Sequence, residues 1–135
     1  MDFMANIRAE DLEEVQVSGR DLKDTPLSEL LEIQCQCLVD EDTDEVYSIG
    51  SVYVYEQLPV AWLLCTTRVE TGYIKWLRAT RKLAREELDR HDYFCNTVYK
   101  KNTLHVKWLE WLGAQFFDET PTHIAFCLRK ENANV

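Results

Sequence analysis

The sequence contains few of the residues that break secondary structure. Its 135 residues include only four glycines and three prolines, which excludes collagen-like, linker-like and low-complexity proteins. No apolar run approaches the length of about 18 residues that a transmembrane helix needs. The opening residues MDFMANIRAEDLEE lack the basic and apolar regions of a secretory signal peptide. We therefore expect no membrane span and no cleaved leader.

The residues that the chain does contain are typical of a folded domain. Hydrophobic residues make up 46% and charged residues 29% of the sequence, a balance that excludes global disorder. The length suits one domain, and a chain of this size buries about two-thirds of the surface that its unfolded form exposes. We expect residues 1–135 to form a single domain around one core.

Acidic residues outnumber basic residues, and the two are unevenly distributed. The formal net charge of −9 disfavours nucleic acid and anionic membranes as partners. Residues 1–57 carry three basic and fifteen acidic side chains, whereas residues 68–110 carry ten basic and six acidic ones. This asymmetry predicts that the two parts of the chain present different surfaces.

The cysteines do not form the pattern of a disulfide framework or a zinc site. There are five of them, an odd number, and no CxxC unit occurs. We expect reduced, unpaired and largely buried thiols, no metal, and a reducing compartment. The five are Cys35, Cys37, Cys65, Cys95 and Cys127.

Hydrophobic periodicity and turn residues predict an α+β or α/β domain over one mixed sheet. A Thr25-Pro26 start signal and the later Gly113 stop signal mark helix ends. The predicted strands are Ala5–Ile7, Val46–Ile49, Val52–Leu58, Val60–Glu70, Phe94–Tyr99 and His123–Arg129. The predicted helices are Ala9–Val17, the stretch from Pro26 to Leu38, Tyr73–Arg90 and the segment from Asn102 to Leu112.

Two stripes run along the predicted helix Tyr73–Arg90. The apolar stripe should face the sheet, and it consists of Tyr73, Trp76, Leu77, Thr80, Leu83, Ala84 and Leu88. The basic stripe should project from the far side, and it consists of Lys75, Arg78, Lys82 and Arg85. Two interpretations of the basic stripe stay open, a solvated face or a surface for an acidic partner.

Other residues that suggest a site have simpler interpretations. Asp40, Asp42 and Asp44 alternate as in a calcium loop, but the glycine and the last acidic ligand of such a loop are missing, which favours a solvated acidic turn. The histidines His91, His105 and His123 are isolated, so we expect them at the surface or partly buried. Trp108 and Trp111 are expected to pack in the core or at an interface.

The stretch Trp62–Phe117 resembles a known family. Its WLLCTT strand, its WLRATRKL helix and its HVKWLEWLGA segment at 105–114 resemble a small GNAT-superfamily, or acetyltransferase-like, family of short-tailed bacteriophages, often called internal virion protein A. The segment IRAEDLEEV at 7–15 is a usual opening for that superfamily. The resemblance implies a GNAT fold, an α+β domain whose central mixed, mostly antiparallel sheet is flanked by helices.

The resemblance also implies where a cofactor would bind. In active members, a glycine-rich loop before the cofactor-side helix binds the coenzyme A pyrophosphate through backbone amides, and a tyrosine in the last helix acts as general acid. Here Arg68–Tyr73 contains only one glycine, and Leu109 stands at the position of the tyrosine. The positions that correspond to the cofactor-binding residues are Thr66, Thr67, Arg68, Gly72 and Asn102.

These departures lead to an expectation of reduced or absent catalysis. We expect a phage protein without a cofactor that acts in the virion or its assembly, through contacts with phage proteins, host proteins or copies of itself. Its expected location is the host cytoplasm during infection, or the virion. The expected partners include neither a membrane nor nucleic acid.

Two other functions stay open at this stage. The first is an N-acetyltransferase that transfers the acetyl group of acetyl-CoA directly to an amine. Backbone N–H groups of Cys65–Arg68 would then hold the cofactor carbonyl, and Glu56 or Glu70 would serve as base. The second is a host-directed inhibitor whose acidic N-terminal half is a decoy surface.

Overall fold

A computed structural model of the protein describes residues 4–17 and 35–135. The helices of the described part are α1 (Ala9–Val17), α2 (Arg68–Thr71), α3 (Tyr73–His91) and α4 (Thr103–Leu112), and short 3₁₀ turns lie at Met4–Asn6 and Lys130–Asn132. The strands are β1 (Gln36–Val39), β2 (Val46–Tyr55), β3 (Leu58–Cys65), β4 (Tyr93–Tyr99), β5 (Gln115–Phe117) and β6 (His123–Arg129).

The six strands form one mixed sheet in the order β1-β2-β3-β4-β6-β5. β3 and β4 are parallel, with Val60 opposite Cys95, whereas β4 and β6 pair antiparallel from Tyr93↔Arg129 to Tyr99↔His123. The predicted α+β class and the mixed sheet are thereby confirmed. No described helix is both long enough and apolar enough to cross a membrane.

The chain divides into two compact units, and the first contains the described residues up to Ser51 together with Trp62–Trp76. Its core centres on Ile49 and Leu64, with Trp62 and residues of α1 packed around them. Because Trp62 and Leu64 are two residues apart on β3, they share one face of the sheet. Thr66 lies beyond the end of this strand, where it forms an isolated antiparallel bridge with Ile7.

The second unit contains Val52–Ala61 and Leu77–Val135. Its core is formed by side chains of α3, α4, β4 and β6, namely Ala84, Leu88, Phe94, Val98, Leu109, Leu112, Phe126 and Leu128. Gly113 ends α4 in the left-handed conformation with φ 97°, which confirms the predicted stop signal. A tyrosine at the position of Leu109 would have to enter this core, because Leu109 is only 2% exposed.

The predicted break between the strands Val46–Ile49 and Val52–Leu58 is wrong. Gly50 and Ser51 lie inside the continuous strand β2, and the turn falls at Glu56-Gln57 instead. Gly50 has a packing role, since a Cβ atom there would lie 2.7 Å from the carbonyl oxygen of Trp62 on the neighbouring strand. Pro59 is a buried member of β3, so it does not separate two strands either.

The predicted strand Val60–Glu70 is also too long. β3 ends at Cys65, and Arg68–Thr71 forms the short helix α2. The strand ends where the Oγ1 of Thr66 donates a hydrogen bond to the carbonyl oxygen of Val46, 2.5 Å away. The Val69 amide then donates a hydrogen bond to the Thr66 carbonyl oxygen, and this bond begins a helical turn.

The predicted helix from Pro26 lies largely outside the described residues. Its predicted last residue, Leu38, belongs to strand β1, so that end of the prediction is wrong. β1 pairs antiparallel with β2, and this pairing overrides the helical spacing of the leucines. The short strand β5 was missing from the prediction, although Phe116 pairs with Phe126 of β6.

Burial along α3 broadly follows the predicted apolar stripe, although Leu77 and Leu83 are only half-buried. Trp76, Thr80, Ala84 and Leu88 are buried at intervals of four residues, but Tyr73, at the first position of the helix, is 38% exposed. In α4, His105 is buried at 5% exposure, whereas a surface or partly buried position was expected. In α4 the fully buried leucines are Leu109 and Leu112, and Leu104 and both tryptophans are half-buried.

The cysteine prediction is wrong about burial. All five thiols are free, but only Cys65 is buried. Cys37 is exposed and the other three are half-buried. Cys35 precedes β1, and strands β1, β4 and β6 place Cys37, Cys95 and Cys127 away from fully covered positions.

Candidate functional site

The segment between β3 and α3 is the position where the resemblance places a cofactor loop. Here it is a helical turn held inside the first unit. Thr66 is fully buried, and its hydroxyl accepts a hydrogen bond from the Arg68 amide at 3.2 Å. In and just after α2, the amides of Glu70 and Gly72 donate hydrogen bonds to the carbonyl oxygens of Thr67 and Arg68, respectively. The short helix thus uses amides that a phosphate-binding loop would leave free.

The backbone amides of Cys65–Arg68 all have hydrogen-bond partners within the protein. The Cys65 amide donates to the carboxylate of Asp11 at 2.6 Å, and Asp11 is itself fully buried beside Arg8. The next three amides donate to Tyr47 O at 2.9 Å, to Asn6 O at 2.9 Å and to Thr66 Oγ1 at 3.2 Å. A cofactor carbonyl could bind these amides only by displacing one of the acceptors that they already have.

Gly72 provides space for neighbouring side chains of this unit. A Cβ atom at this position would lie 2.6 Å from the Tyr47 ring and hydroxyl and 2.8 Å from Nη1 of Arg68. Its φ of −122° is one that any residue adopts, so packing, not backbone conformation, requires the glycine. Side-chain atoms of Tyr47 and Arg68 therefore occupy the space next to this glycine.

A polar cluster next to Gly72 was missed by the sequence analysis. The Arg68 guanidinium lies 2.5 Å from Oδ2 of Asp40 and above the ring of Tyr47, whose hydroxyl donates to the same oxygen at 3.1 Å. Asp40 is only 6% exposed, whereas its neighbours in the acidic turn are exposed. The prediction of a solvated turn therefore fails at Asp40 alone, because that carboxylate pairs with an arginine 28 residues away.

The cluster shifts the ionisation of its members. A hydrogen bond from the Asp42 amide, together with those from Arg68 and Tyr47, lowers the pKa of Asp40 below its ordinary value. Burial and the adjacent Asp40 carboxylate raise the pKa of Tyr47. The cluster is thus a carboxylate held in its charged form by satisfied donors, which suits a structural role.

The candidate catalytic bases lie in exposed places. Glu56 is exposed in the β2–β3 turn, with φ 48°. Glu70 is exposed on α2, and its carboxylate lies 3.5 Å from Nε of Arg8. Asn102 is fully buried at the start of α4, where its side chain makes no capping hydrogen bond to the helix.

The basic stripe of α3 is a real surface feature. Its four members, Lys75, Arg78, Lys82 and Arg85, are all exposed. Lys75 lies 4.0 Å from the carboxylate of Asp42. The other three make no ion pair with any residue in the described ranges, so we define the basic face of α3 as Arg78, Lys82 and Arg85.

Arg81 on the same helix has a different role. Its Nε and Nη2 donate to the backbone and side-chain oxygens of Asn134 at 3.0 and 3.1 Å, and its guanidinium lies 5.1 Å from the Trp111 ring centre. Arg81 thus attaches α3 to α4 and to the C-terminal segment of the second unit. Arg81 thus contributes to packing, whereas the basic face has no ion-pair partner among residues 4–17 and 35–135.

No protein-family model, curated protein or solved structure matches the chain. The site geometry is then the basis for assigning a function. It shows bonded amides in the segment expected to hold a cofactor, and a basic helix face without partners among the described residues.

Proposed function

We propose that this is a GNAT-fold bacteriophage protein without acetyltransferase activity. It acts in the virion or its assembly by binding an acidic protein surface, of phage or host origin, through the basic face of α3. Coenzyme A has no part in this function.

The order of elements supports the GNAT fold. After residue 35 the chain forms three consecutive strands, the short helix α2, the long helix α3, the strand β4, the helix α4 and two closing strands. Apart from α2, this matches the GNAT order that the resemblance implies, in which a run of antiparallel strands is followed by the cofactor-side helix, a strand, a helix and closing strands. The mixed sheet with antiparallel outer pairs is compatible with it.

The engaged amides of Cys65–Arg68 are the observation that carries the proposal. Binding of a pyrophosphate or a thioester carbonyl needs several converging N–H donors that are free to reach the ligand. In this segment the donors already bond to Asp11, Tyr47, Asn6 and Thr66. Opening them costs about 1–3 kcal/mol for each acceptor that stays buried and unpaired. This cost opposes cofactor binding at the position where the resemblance expects it.

The basic face supports the contact function. Arg78, Lys82 and Arg85 are spaced by four and three residues, so they project from one side of α3. Their mutual repulsion costs only a few tenths of a kcal/mol per pair in water, which a fold tolerates easily. A partner with acidic groups would remove that repulsion and gain exposed ion pairs worth about 0.2–1 kcal/mol each. Such pairs contribute mainly to the specificity and rate of association.

The contact is tested by reversing the charges of the basic face. The probe is fluorescently labelled poly-L-glutamate, which stands in for an acidic protein surface, and anisotropy at low salt is the measurement. We expect the triple variant Arg78→Glu, Lys82→Glu, Arg85→Glu to bind the probe about tenfold more weakly than the wild type, because three exposed ion pairs are lost. The wild-type affinity should fall as salt is added.

A matched control separates the basic face from overall charge. The variant Lys101→Glu, Lys107→Glu, Arg129→Glu changes the net charge equally at exposed positions outside that face. The proposal requires this control to keep most of the wild-type affinity, and both variants to keep the wild-type melting temperature. Equal losses in the two triple variants, or tighter binding to a DNA duplex than to poly-L-glutamate, would contradict a specific acidic-protein contact.

A further inference from the structure

Two cysteines face each other across neighbouring strands of the second unit. β4 and β6 pair antiparallel over seven positions, and Cys95 lies directly opposite Cys127. Opposed residues in an antiparallel pair project from the same face, with Cα atoms about 4.5 or 5.5 Å apart according to the type of pair. Both spacings fall within the range of about 4.4–6.8 Å found across disulfides. The register therefore brings two thiols into bridging range.

These thiols lie on the less covered face of the two strands. Their neighbours in the register, Phe94 and Leu128, are buried at 3% and 0% exposure and belong to the core on the other face. Cys95 and Cys127 are both half-buried. Cys127 also lines an open surface pocket together with Tyr93 and Arg129.

The two sulfur atoms differ in their surroundings. The Cys95 thiol donates to the carbonyl oxygen of Pro59, 3.6 Å away. Burial raises the pKa of Cys95, and a negative charge on Cys127 raises it further, as expected for adjacent thiols. Cys127 is therefore the better first nucleophile, because it borders the open pocket and Cys95 is held by a hydrogen bond.

We propose that Cys95 and Cys127 form an oxidisable dithiol, which reacts with a small-molecule disulfide such as oxidised glutathione and closes into a cross-strand disulfide. This inference is independent of the proposed function, since it depends only on the β4–β6 register. In the reducing compartment expected from the cysteine pattern, the same pair rests as two thiols. A shift of the glutathione pool toward oxidation closes the bridge and fastens β4 to β6.

The reaction takes place in two exchange steps. The Cys127 thiolate attacks one sulfur of oxidised glutathione, which forms a mixed disulfide and releases one glutathione thiolate. The Cys95 thiolate then attacks the Cys127 sulfur of the mixed disulfide and displaces the second glutathione. Together the two protein thiols lose two electrons and two protons. Oxidised glutathione takes up these electrons and protons and becomes two molecules of reduced glutathione.

The test incubates the full chain in buffers with a graded ratio of oxidised to reduced glutathione. Remaining thiols are then blocked with iodoacetamide, and the protein is digested and mapped by mass spectrometry. We expect a peptide pair joined through Cys95 and Cys127 to accumulate as the buffer becomes more oxidising, and the melting temperature to rise with it. Cys65, which is fully buried, should remain open to alkylation only after unfolding and should form no adduct.

Two serine variants make the order of attack visible. In Cys95→Ser, the first step has no second thiol to follow it, so glutathione should accumulate on Cys127. In Cys127→Ser, the adduct on Cys95 should form at least several-fold more slowly. Circular dichroism of both variants confirms that they fold. If Cys95 and Cys127 of the wild type stay fully alkylatable in oxidised glutathione alone, or bridge to other cysteines instead, the proposal is wrong.

Discussion

At the scale of single residues, Asp40 shows how a buried charge is stabilised in the first unit. Its carboxylate accepts hydrogen bonds from the Asp42 amide at 2.9 Å and from Tyr47 and Arg68 side chains. Each donor favours the ionised form, which explains the lowered pKa of this group. A carboxyl group whose pKa is lower in the folded than in the unfolded chain stabilises the fold at pH values above its unfolded-state pKa. That stabilisation is lost as the pH falls through its folded-state pKa.

We therefore predict an acid-dependent effect of Asp40→Asn. The variant should be less stable than the wild type near pH 7, because the charge-assisted bonds with Arg68 are lost. The difference in stability between the variant and the wild type should shrink as the pH falls below the ordinary aspartate pKa of 3.8, because the wild-type Asp40 then also loses its charge. Urea unfolding at several pH values measures this. As a control, Glu41→Gln removes an exposed neighbouring carboxylate and should leave both the stability and its pH profile nearly unchanged.

The partners of Asp40 also explain why this cluster could not be read from the sequence. Asp40 stands at the start of an acidic run, and local composition there favours a solvated turn. Its burial follows from Arg68 and Tyr47, which meet it only after β2 pairs with β1 and α2 forms. Pairings over 28 residues leave no periodic signal in the chain. The basic face of α3, by contrast, was predictable because its spacing is local.

At the scale of elements, the β2–β3 hairpin has an unusual turn. Both turn residues, Glu56 and Gln57, have positive φ values of 48° and 69°. Two-residue hairpin turns of this kind normally place asparagine or aspartate followed by glycine at these positions. A side chain in the left-handed region costs about 1–2 kcal/mol relative to the right-handed one. The hairpin therefore forms because its strands pair, not because its turn is favourable.

This strain predicts that Gln57→Gly stabilises the protein. Glycine adopts positive φ without a steric penalty, and the exposed Gln57 side chain is not needed for packing. We expect a gain of about 0.5–1 kcal/mol in the free energy of unfolding, measured by chemical denaturation. The matched control is Thr97→Gly on β4, an exposed strand position with ordinary φ, which should lose stability. A loss of stability in Gln57→Gly would show that the turn residue makes contacts that matter more than its conformation.

Elements with strong local signals were predictable, and elements fixed by pairing were not. α3, β4, β6 and the Gly113 stop were predicted within about two residues because periodicity and turn chemistry act locally. The β2–β3 hairpin was predicted at the wrong position because Gly50 was interpreted as a strand break. Gly50 instead lies inside β2, where the absence of a side chain allows the Trp62 backbone to approach it closely. β5 is three residues long and exists only by pairing with β6.

At the scale of the whole molecule, the basic surface and the bonded β3–α3 segment suggest one function. The order of elements is compatible with the GNAT fold that we propose, but the amides of Cys65–Arg68 bond to Asp11, Tyr47, Asn6 and Thr66. The same segment carries Arg68, whose side chain is committed to Asp40. We propose that the basic face of α3 performs the function on this scaffold. We also propose that the protein does not bind coenzyme A.

Isothermal titration of the full chain with acetyl-CoA tests that claim most directly. We predict no saturable heat at protein and ligand concentrations up to the millimolar range, because binding would have to break hydrogen bonds that the fold already makes. A known active acetyltransferase, titrated in parallel, confirms that the ligand is competent. A dissociation constant in the micromolar range or tighter would contradict the account and would restore the N-acetyltransferase as the function of this protein.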